Sequence, residues 1–519
     1  MPGADAQPGR CSGRILAEAI ESGAMTEGRG MTANRRGQRI AVVGSGITGL
    51  SAAWLLSRDN DVVLYEAEDR AGGHSRTVDV DMGDGTSLGV DTGFIVFNDR
   101  TYPNLIALFE HIGVAVRVTD MSFAVSLDDG KLEYAAGDRI WQLFAQPSNL
   151  FSRRFWSMLR NLVRFYREAA EGIGGFGDMT LGQMLEQGRY GEAFRDDHLL
   201  PMAAAIWSAP AQLLLDYPAE AFIRFCDNHG LLDLGRRPKW RTVIGGSRSY
   251  VDRLLADFAG ELRLAAPVAA VERKAGQVTI IDRGGHSDHF DEVVIAAHAN
   301  QALAMLADPS PQERELLGAF RYSTNLTVLH DDPQLMPKRR ALWGAWNYFG
   351  RRHANDATGD LCVSYWMNRL QGFATKRPLI VTLNPNRAIG HGHEISRTSF
   401  EHPIFDHAAL QAQRSIWARA SMRMGCRPGS PSPRCSARAD PGPWPNPMAG
   451  SRWSSRRYGK PRHEIGDLYR RGVPRAVPAA RASSALPHLP MPVRSRRDRC
   501  DCPALPAVRA QSLQPLFLS

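Results

Sequence analysis

An α/β fold built around a parallel sheet follows from three observations near the start of the chain. Residues 39–43 read RIAVV, a short apolar run of the kind that a strand buried on both faces requires. A glycine-rich turn, Gly44–Gly49 (GSGITG), leads directly into LSAAWLLSR, which has helical character. A second apolar run, DVVLYE, then closes on Glu66, seventeen residues past Gly49. Strand, turn, helix and strand in that order make one βαβ unit.

The residue types within the unit point to a dinucleotide. Gly44 permits the tight turn out of the strand, Gly46 lets backbone approach a pyrophosphate, and Gly49 lets helix and strand pack closely. The helix start offers free N–H groups and the positive end of its dipole to phosphate. Glu66 is placed to accept hydrogen bonds from ribose hydroxyls. Just beyond it, EAEDRAGGHSRT sets a second glycine pair, Gly72 and Gly73, between Arg70 and Arg76.

With these motifs the chain resembles the flavin amine oxidase superfamily, which includes protoporphyrinogen oxidases and phytoene desaturases and binds FAD rather than NAD. Within it, the sequence is most similar to bacterial proteins of the NAD/FAD-binding, amine oxidase-like group. The resemblance spans roughly residues 38 to 414 and rests on further blocks: TVIGGSRSYVDRLL (Thr242–Leu255), a glycine turn opening a helix; the short strands and hairpin of Glu261–His298; DTGFIVFN (Asp91–Asn98); and TVLHDDPQLMPKRRALWGAWNY and SYWMNRLQ. It implies a two-domain, glutathione reductase-like fold with a mixed substrate domain. Residues 38–100 and 241–318 would form a discontinuous FAD-binding domain, and 101–240 and 319–414 the substrate domain. It also implies FAD contacts at Gly44, Ser45, Gly46, Ile47, Thr48, Gly49, Glu66, Ala67, Arg70, Gly72, Gly73, His74 and Val268, whose backbone would lie against the adenine. The strand ending VVIAAH would complete the sheet, and DTGFIVFN would lie near the flavin.

Composition bounds the remainder. The chain has 519 residues, 43% hydrophobic, which suits a globular enzyme. No apolar run reaches the length of a membrane helix, and no signal core is evident, so a cytoplasmic protein is the expectation. Residues 421–519 carry 17 Arg and one Lys against five acidic residues, a sum of +13, so the net charge of +9 comes from them and the preceding 420 residues sum to −4. Nucleic-acid binding therefore has no support from the part expected to fold. Cys226 and Cys362 read as buried thiols of a reducing compartment, and no metal constellation is recognisable.

Both ends depart from this pattern. Residues 1–37, rich in Gly, Ala and Arg, read as a disordered extension, with Met31 a natural initiator. Residues 415–519 are dominated by Arg, Pro, Ser and Ala and read as a disordered tail. Here the resemblance implies a segment like GxGFHEDGLxxGLAVAE beside the flavin ring. Back-translation of Trp417 to Arg434 in a shifted frame is compatible with GSGFHEDGLQAGLAVAE, which suggests an out-of-frame C-terminus. The tail cysteines Cys426, Cys435, Cys500 and Cys502 fit no zinc spacing.

Between the FAD segments, Asn149–Arg167 puts Phe151, Phe155, Met158, Leu159, Leu162 and Tyr166 on one helical stripe, with Arg153, Arg160, Arg164 and Arg167 largely elsewhere. The stripe predicts a helix packed in the substrate domain; the basic amphipathic pattern also suits weak peripheral contact with a membrane. FRYSTNLTVLHDDPQLMP (Phe320–Pro337) resembles the family's active-site strand, with Asn325 where a lysine is expected. Trp343, Trp346, Tyr348, Tyr365 and Trp366 are candidate pocket walls, and no catalytic residue is assigned. The resemblance implies an FAD-dependent oxidoreductase that moves hydride from an activated C–H bond of an amine or an apolar, lipid-like small molecule to flavin. Oxygen or another acceptor would reoxidise the flavin. The alternatives are a redox-neutral flavin isomerase and a noncatalytic product of a frameshifted gene.

Overall fold

Strand β1 (Arg39–Val43) is an inner strand of a four-stranded sheet in the computed structural model, which describes residues 37–423 apart from 138–139, 210, 233–237, 275 and 353–360. The N-terminal extension up to residue 36, the tail beyond residue 423 with its four cysteines, and most of the segment bearing the shifted-frame reading lie outside the described residues. In the sheet, β1 pairs in parallel with both β2 (Asp61–Tyr65) and the strand Glu292–Ile295, and Glu261–Arg263 extends it beyond β2. VVIAAH thus does complete the sheet.

The apolar runs Ile40–Val43 and Val62–Tyr65 are explained by what lies on each face. Ile40, Val42, Val62 and Leu64 point into one core with Leu50, Ala53 and Trp54 of helix α1 (Ile47–Leu56). Ala41, Val43, Val63 and Tyr65 point into a second core with Val271, Ile280 and Phe290. The latter three come from the antiparallel meander Val268–Lys274, Gln277–Asp282 and Ser287–Phe290, where the sequence predicts a hairpin. Each fully buried aliphatic side chain contributes about 2 kcal/mol, so alternation alone holds the sheet between two layers.

A second, seven-stranded sheet runs in the order Glu394–Ile404, Arg321–His330, Ile380–Leu383, Cys362–Trp366, Trp346–Gly350, Phe123–Leu127 and Leu132–Ala136. Its strands β3 (Arg321–His330) and β4 (Glu394–Ile404) pair antiparallel, with Asn325 opposite Phe400 and Ser323 opposite His402. Cys226 and Cys362 are buried, and neither is in a disulfide.

The helix expected from Asn149 begins later, as α2 (Arg153–Glu168). Ser152 is extended and its hydroxyl accepts from Phe155 N at 3.2 Å, a capping arrangement that ends the preceding 3-10 helix Pro147–Phe151 and starts the new one. Phe151 is therefore outside the helix and exposed, and Leu159, Leu162 and Tyr166 are half-buried. The face that is buried carries Phe155, Met158, Asn161 and Phe165.

Candidate functional site

The turn after β1 is shaped by steric necessity at two glycines and left open at a third. Gly44 has φ +98°, and a Cβ there would lie 2.7 Å from the Ala296 carbonyl oxygen. A Cβ on Gly49 would lie 1.7 Å from the Gly44 oxygen, so α1 can rest on the strand only with glycine at that position. At Gly46, by contrast, a Cβ would meet nothing within 4 Å. Gly46 is the N-cap of α1 with no side chain bonded to the helix start and no acid in the first turn. Space, free N–H groups and a positive dipole end coincide there.

Glu66 is buried at the end of β2, and its carboxylate is already engaged. It accepts from Ser45 N at 2.9 Å, from the Ser45 hydroxyl and from Glu68 N at 2.9 Å. Ala266 N donates to the Glu66 carbonyl oxygen and Ala265 N to that of Glu68, both at 2.8 Å, which sets the approach to Val268 beside the acid. Val268 itself begins a meander strand, half-buried against the second core. Thr48 and Ala67 are exposed.

The second glycine pair is pressed onto the first turn. Gly72 N donates to the carbonyl oxygen and the hydroxyl oxygen of Ser45, each at 3.1 Å, and a Cβ on Gly73 would lie 3.2 Å from Gly46 Cα. Arg70 bonds the Gly73 carbonyl through Nη2 at 2.9 Å and also pairs with Glu68. The Nε atoms of Arg70 and Arg76 are buried and have no hydrogen-bond partner. Two unpartnered guanidinium N–H groups, on either side in sequence of the glycine pair that packs on the open helix start, suit a diphosphate.

From this cradle a third loop leads inward. His74 O accepts from Phe94 N at 2.8 Å, and a Cβ on Gly93 would lie 2.0 Å from that same oxygen, so the loops carrying His74 and Gly93 are locked together. Asp91, wholly buried, accepts from Thr77 Oγ1, Ser247 N, Ser247 Oγ and Gln371 Nε2, and burial raises its carboxyl to about 6. The His74 ring stacks on Phe400 at 4.8 Å, with His298 and His402 within 6 Å. Burial lowers His74 to about 4 and His402 to about 3, so both are neutral near pH 7.

Behind these rings lies a small cavity of about 10 Å³, room for about one water molecule, lined by Thr92, Ile95, Thr327, Tyr365, Val381, Leu383, Phe400 and His402. Strand register builds it: Thr327 lies opposite Leu383 and Tyr365 opposite Val381. Thr327 Oγ1 and Tyr365 OH are buried with no hydrogen-bond partner. A relay of amides fixes the adjoining edge. Leu326 N donates to Asn384 Oδ1 at 2.8 Å, Asn384 Nδ2 to Asn325 Oδ1 at 2.7 Å, and Asn325 Nδ2 to His402 Nδ1 at 2.9 Å. Accepting at Nδ1 assigns the proton of neutral His402 to Nε2.

The sequence motifs at 44–49, 66 and 70–74 are thus brought together, and Asn325 stands at the cavity's edge. Of the aromatic candidates only Tyr365 lines the cavity. Trp343 bonds Pro337 O and packs edge-on against Trp366, while Trp346 packs against Tyr365 and Tyr348 is buried in the sheet. Sequence reasoning missed Phe400, His402, His298 and Gln371. Phe400 and His402 do carry a signal, being two apart on one strand and so on one face.

The flavin-containing amine oxidoreductase family model matches residues 47–331. Tryptophan 2-monooxygenase of Pantoea agglomerans pv. gypsophilae is 30% identical over 161 residues, 30% of this chain and 27% of that protein. Carotenoid phi-ring synthase of Streptomyces griseus is 34% identical over 143 residues, 26% of each. The chain therefore aligns with about a quarter of the length of these curated relatives. In fold it is similar to a putrescine oxidase variant redesigned for cofactor binding (TM-score 0.52, 16% identity, 73% of this chain and 90% of that one). It is also similar to a protein assigned as a protoporphyrinogen oxidase from Exiguobacterium sp. 255-15 (TM-score 0.52, 17% identity, 75% of this chain and 92% of that one). The family match covers more than half of the chain and begins at the glycine turn whose open N-cap and paired arginines suit a diphosphate, so the chain belongs to the flavin-containing amine oxidoreductases, and FAD is its cofactor.

Proposed function

We propose that the chain is an FAD-dependent oxidoreductase acting on a largely apolar small molecule that carries one or two hydrogen-bonding groups. The observation that carries this reading is the run of packed loops that joins the cradle to the small cavity, which would have to widen to admit a substrate. Gly46 abuts Gly73, His74 is bonded to Phe94, and Thr92 and Ile95 of the same loop line the cavity. The diphosphate would be held by the N–H groups of Ile47 and Thr48 with Arg70 and Arg76, the Ser45 N–H being held by Glu66, and the ribose and adenine by Glu66 and the Ala67 and Val268 backbones. In this reading the parallel sheet with its meander (38–100, 241–318) serves the cofactor and the seven-stranded sheet (101–240, 319–414) the substrate.

When bound, FAD would supply the acceptor for hydride from an activated C–H bond and pass the electrons on to oxygen or another oxidant. The chain's own residues supply position and surroundings. Ile95, Val381, Leu383 and Phe400 exclude water, while Thr327 Oγ1 and Tyr365 OH offer the only unpartnered side-chain polar groups among the described lining residues. Neutral His402, held by Asn325, adds no positive charge to the pocket, so a cationic amine is not repelled there.

The test is the visible spectrum of the purified full-length chain after incubation with FAD and gel filtration, followed by anaerobic addition of candidate amines and apolar alcohols or alkenes. Retained flavin that bleaches with substrate and recovers in air supports the reading. A colourless protein would sink it, and substrate conversion without bleaching or oxygen uptake would replace it with an isomerase.

A further inference from the structure

We propose that the outer face of α2, with the two 3-10 helices before it, docks on an anionic lipid bilayer. Most of the large apolar side chains that the described residues leave exposed gather here: Ile140, Trp141, Leu150, Phe151, Trp156 and Val163, with Phe151 87% and Ile140 77% exposed. They belong to one surface. Phe144 of the first 3-10 helix (Ile140–Phe144) packs on both Phe155 and Trp156, Asn149 Nδ2 donates to Leu143 O at 3.2 Å, and Trp156 Nε1 donates to Leu150 O at 2.9 Å.

Along α2 the outward stripe reads Arg153, Trp156, Arg160, Val163, Arg167, spaced three and four residues apart and opposite the buried Phe155, Met158 and Phe165. The three arginines are exposed and form no ion pair among the described residues, whereas the neighbouring Arg154 and Arg164 pair with Asp197 and Glu168. This basic stripe stands on a body whose first 420 residues sum to −4, so its charge is local. Apolar rings and aliphatic tips beside unpaired guanidinium groups match acyl chains beneath anionic headgroups. A second copy of the chain is a poorer occupant, because a two-fold contact would set the same arginines against each other. Among the described residues no helix is long and apolar enough to cross a membrane, so the contact is peripheral.

The test is co-sedimentation of the full-length chain with phosphatidylcholine vesicles, with and without phosphatidylglycerol. Binding to the anionic vesicles only, weakened by salt, is expected. Replacing the three arginines together (Arg153→Gln, Arg160→Gln, Arg167→Gln) should weaken it on the order of a hundredfold, and Phe151→Ser about tenfold, with thermal unfolding unchanged because all four side chains are exposed. No sedimentation of the unaltered chain, equal binding to neutral vesicles, or binding indifferent to both variants would overturn the proposal. So would concentration-dependent dimerisation abolished by Phe151→Ser, which would assign the face to a second copy.

Discussion

Ser45 gives Glu66 both of its donors, the backbone N–H at 2.9 Å and the hydroxyl, so the acid at the end of β2 holds the glycine turn at the end of β1. Together with Glu68 N, these bonds occupy most of the carboxylate's acceptor sites. Glu66 is therefore structural before any ribose reaches it. Glu66→Gln would set an amide NH2 against one of these N–H groups inside a buried site. We expect a loss of about 1–3 kcal/mol in denaturant unfolding without added FAD, alongside weaker FAD binding. Unchanged stability of the FAD-free protein would mean that the acid serves the nucleotide alone.

Gly46 and Gly49 should separate cofactor binding from folding. Gly46→Ala places a methyl group in open space at φ −58°, so unfolding should shift by less than about 0.5 kcal/mol, while FAD affinity falls because the methyl enters the cradle. Gly49→Ala must displace the Gly44 carbonyl from 1.7 Å, at a cost of about 3 kcal/mol or more in fold stability. Flavin fluorescence titration and urea unfolding on both variants make the comparison. Loss of stability in Gly46→Ala would refute the division of roles.

Much of this unit was legible because each glycine answers a local demand of turn, approach or packing. The seven-stranded sheet was not. Its cavity is assembled from Thr92, Thr327, Tyr365, Leu383 and His402, residues brought together only by strand register across long sequence separations. The start of α2 is not legible either, because a hydrophobic stripe does not reveal that Ser152 caps the helix and leaves Phe151 outside it, exposed.

Acid should unfold the protein well above the carboxylate range. Burial holds His74, His198, His229 and His330 down at about 4 and His402 at about 3, against 6.5 when exposed. Depressed values mean that the folded state binds fewer protons than the unfolded state between pH 6.5 and 4. Their stability is present above pH 6.5 and lost as pH falls toward 4. Asp91, raised to about 6 by burial, acts in the opposite sense: its contribution is present below about 3.8 and lost as pH rises through 6. On balance these six groups make unfolding take up between about three and four protons near pH 5, each worth about 1.4 kcal/mol per pH unit. His198 tests this cleanly. Tyr134 OH donates its proton to Asp197 O at 2.7 Å, so His198 Nδ1–H donates to the phenol oxygen at 2.9 Å, and Nε2 has no partner. His198→Phe should keep the fold and remove about one proton from the pH dependence of urea unfolding; an unchanged slope would contradict the buried neutral imidazole.

Under the proposed function, the cavity's two hydroxyls give the most direct access to substrate choice. A buried hydroxyl without a partner destabilises the empty site, so Thr327→Val and Tyr365→Phe should leave stability unchanged or raise it by up to about 1 kcal/mol. If those hydroxyls bind the polar end of the substrate, each variant should raise KM for polar substrates at least tenfold while changing it little for purely apolar analogues, the asymmetry expected where a site is built to hydrogen-bond its ligand. A fall in kcat with KM unchanged would instead place the group at the reacting centre. Stability that falls in both variants would show that the hydroxyls are satisfied by ordered water within the fold, and that the polar specificity of the pocket must come from His402 and Asn325.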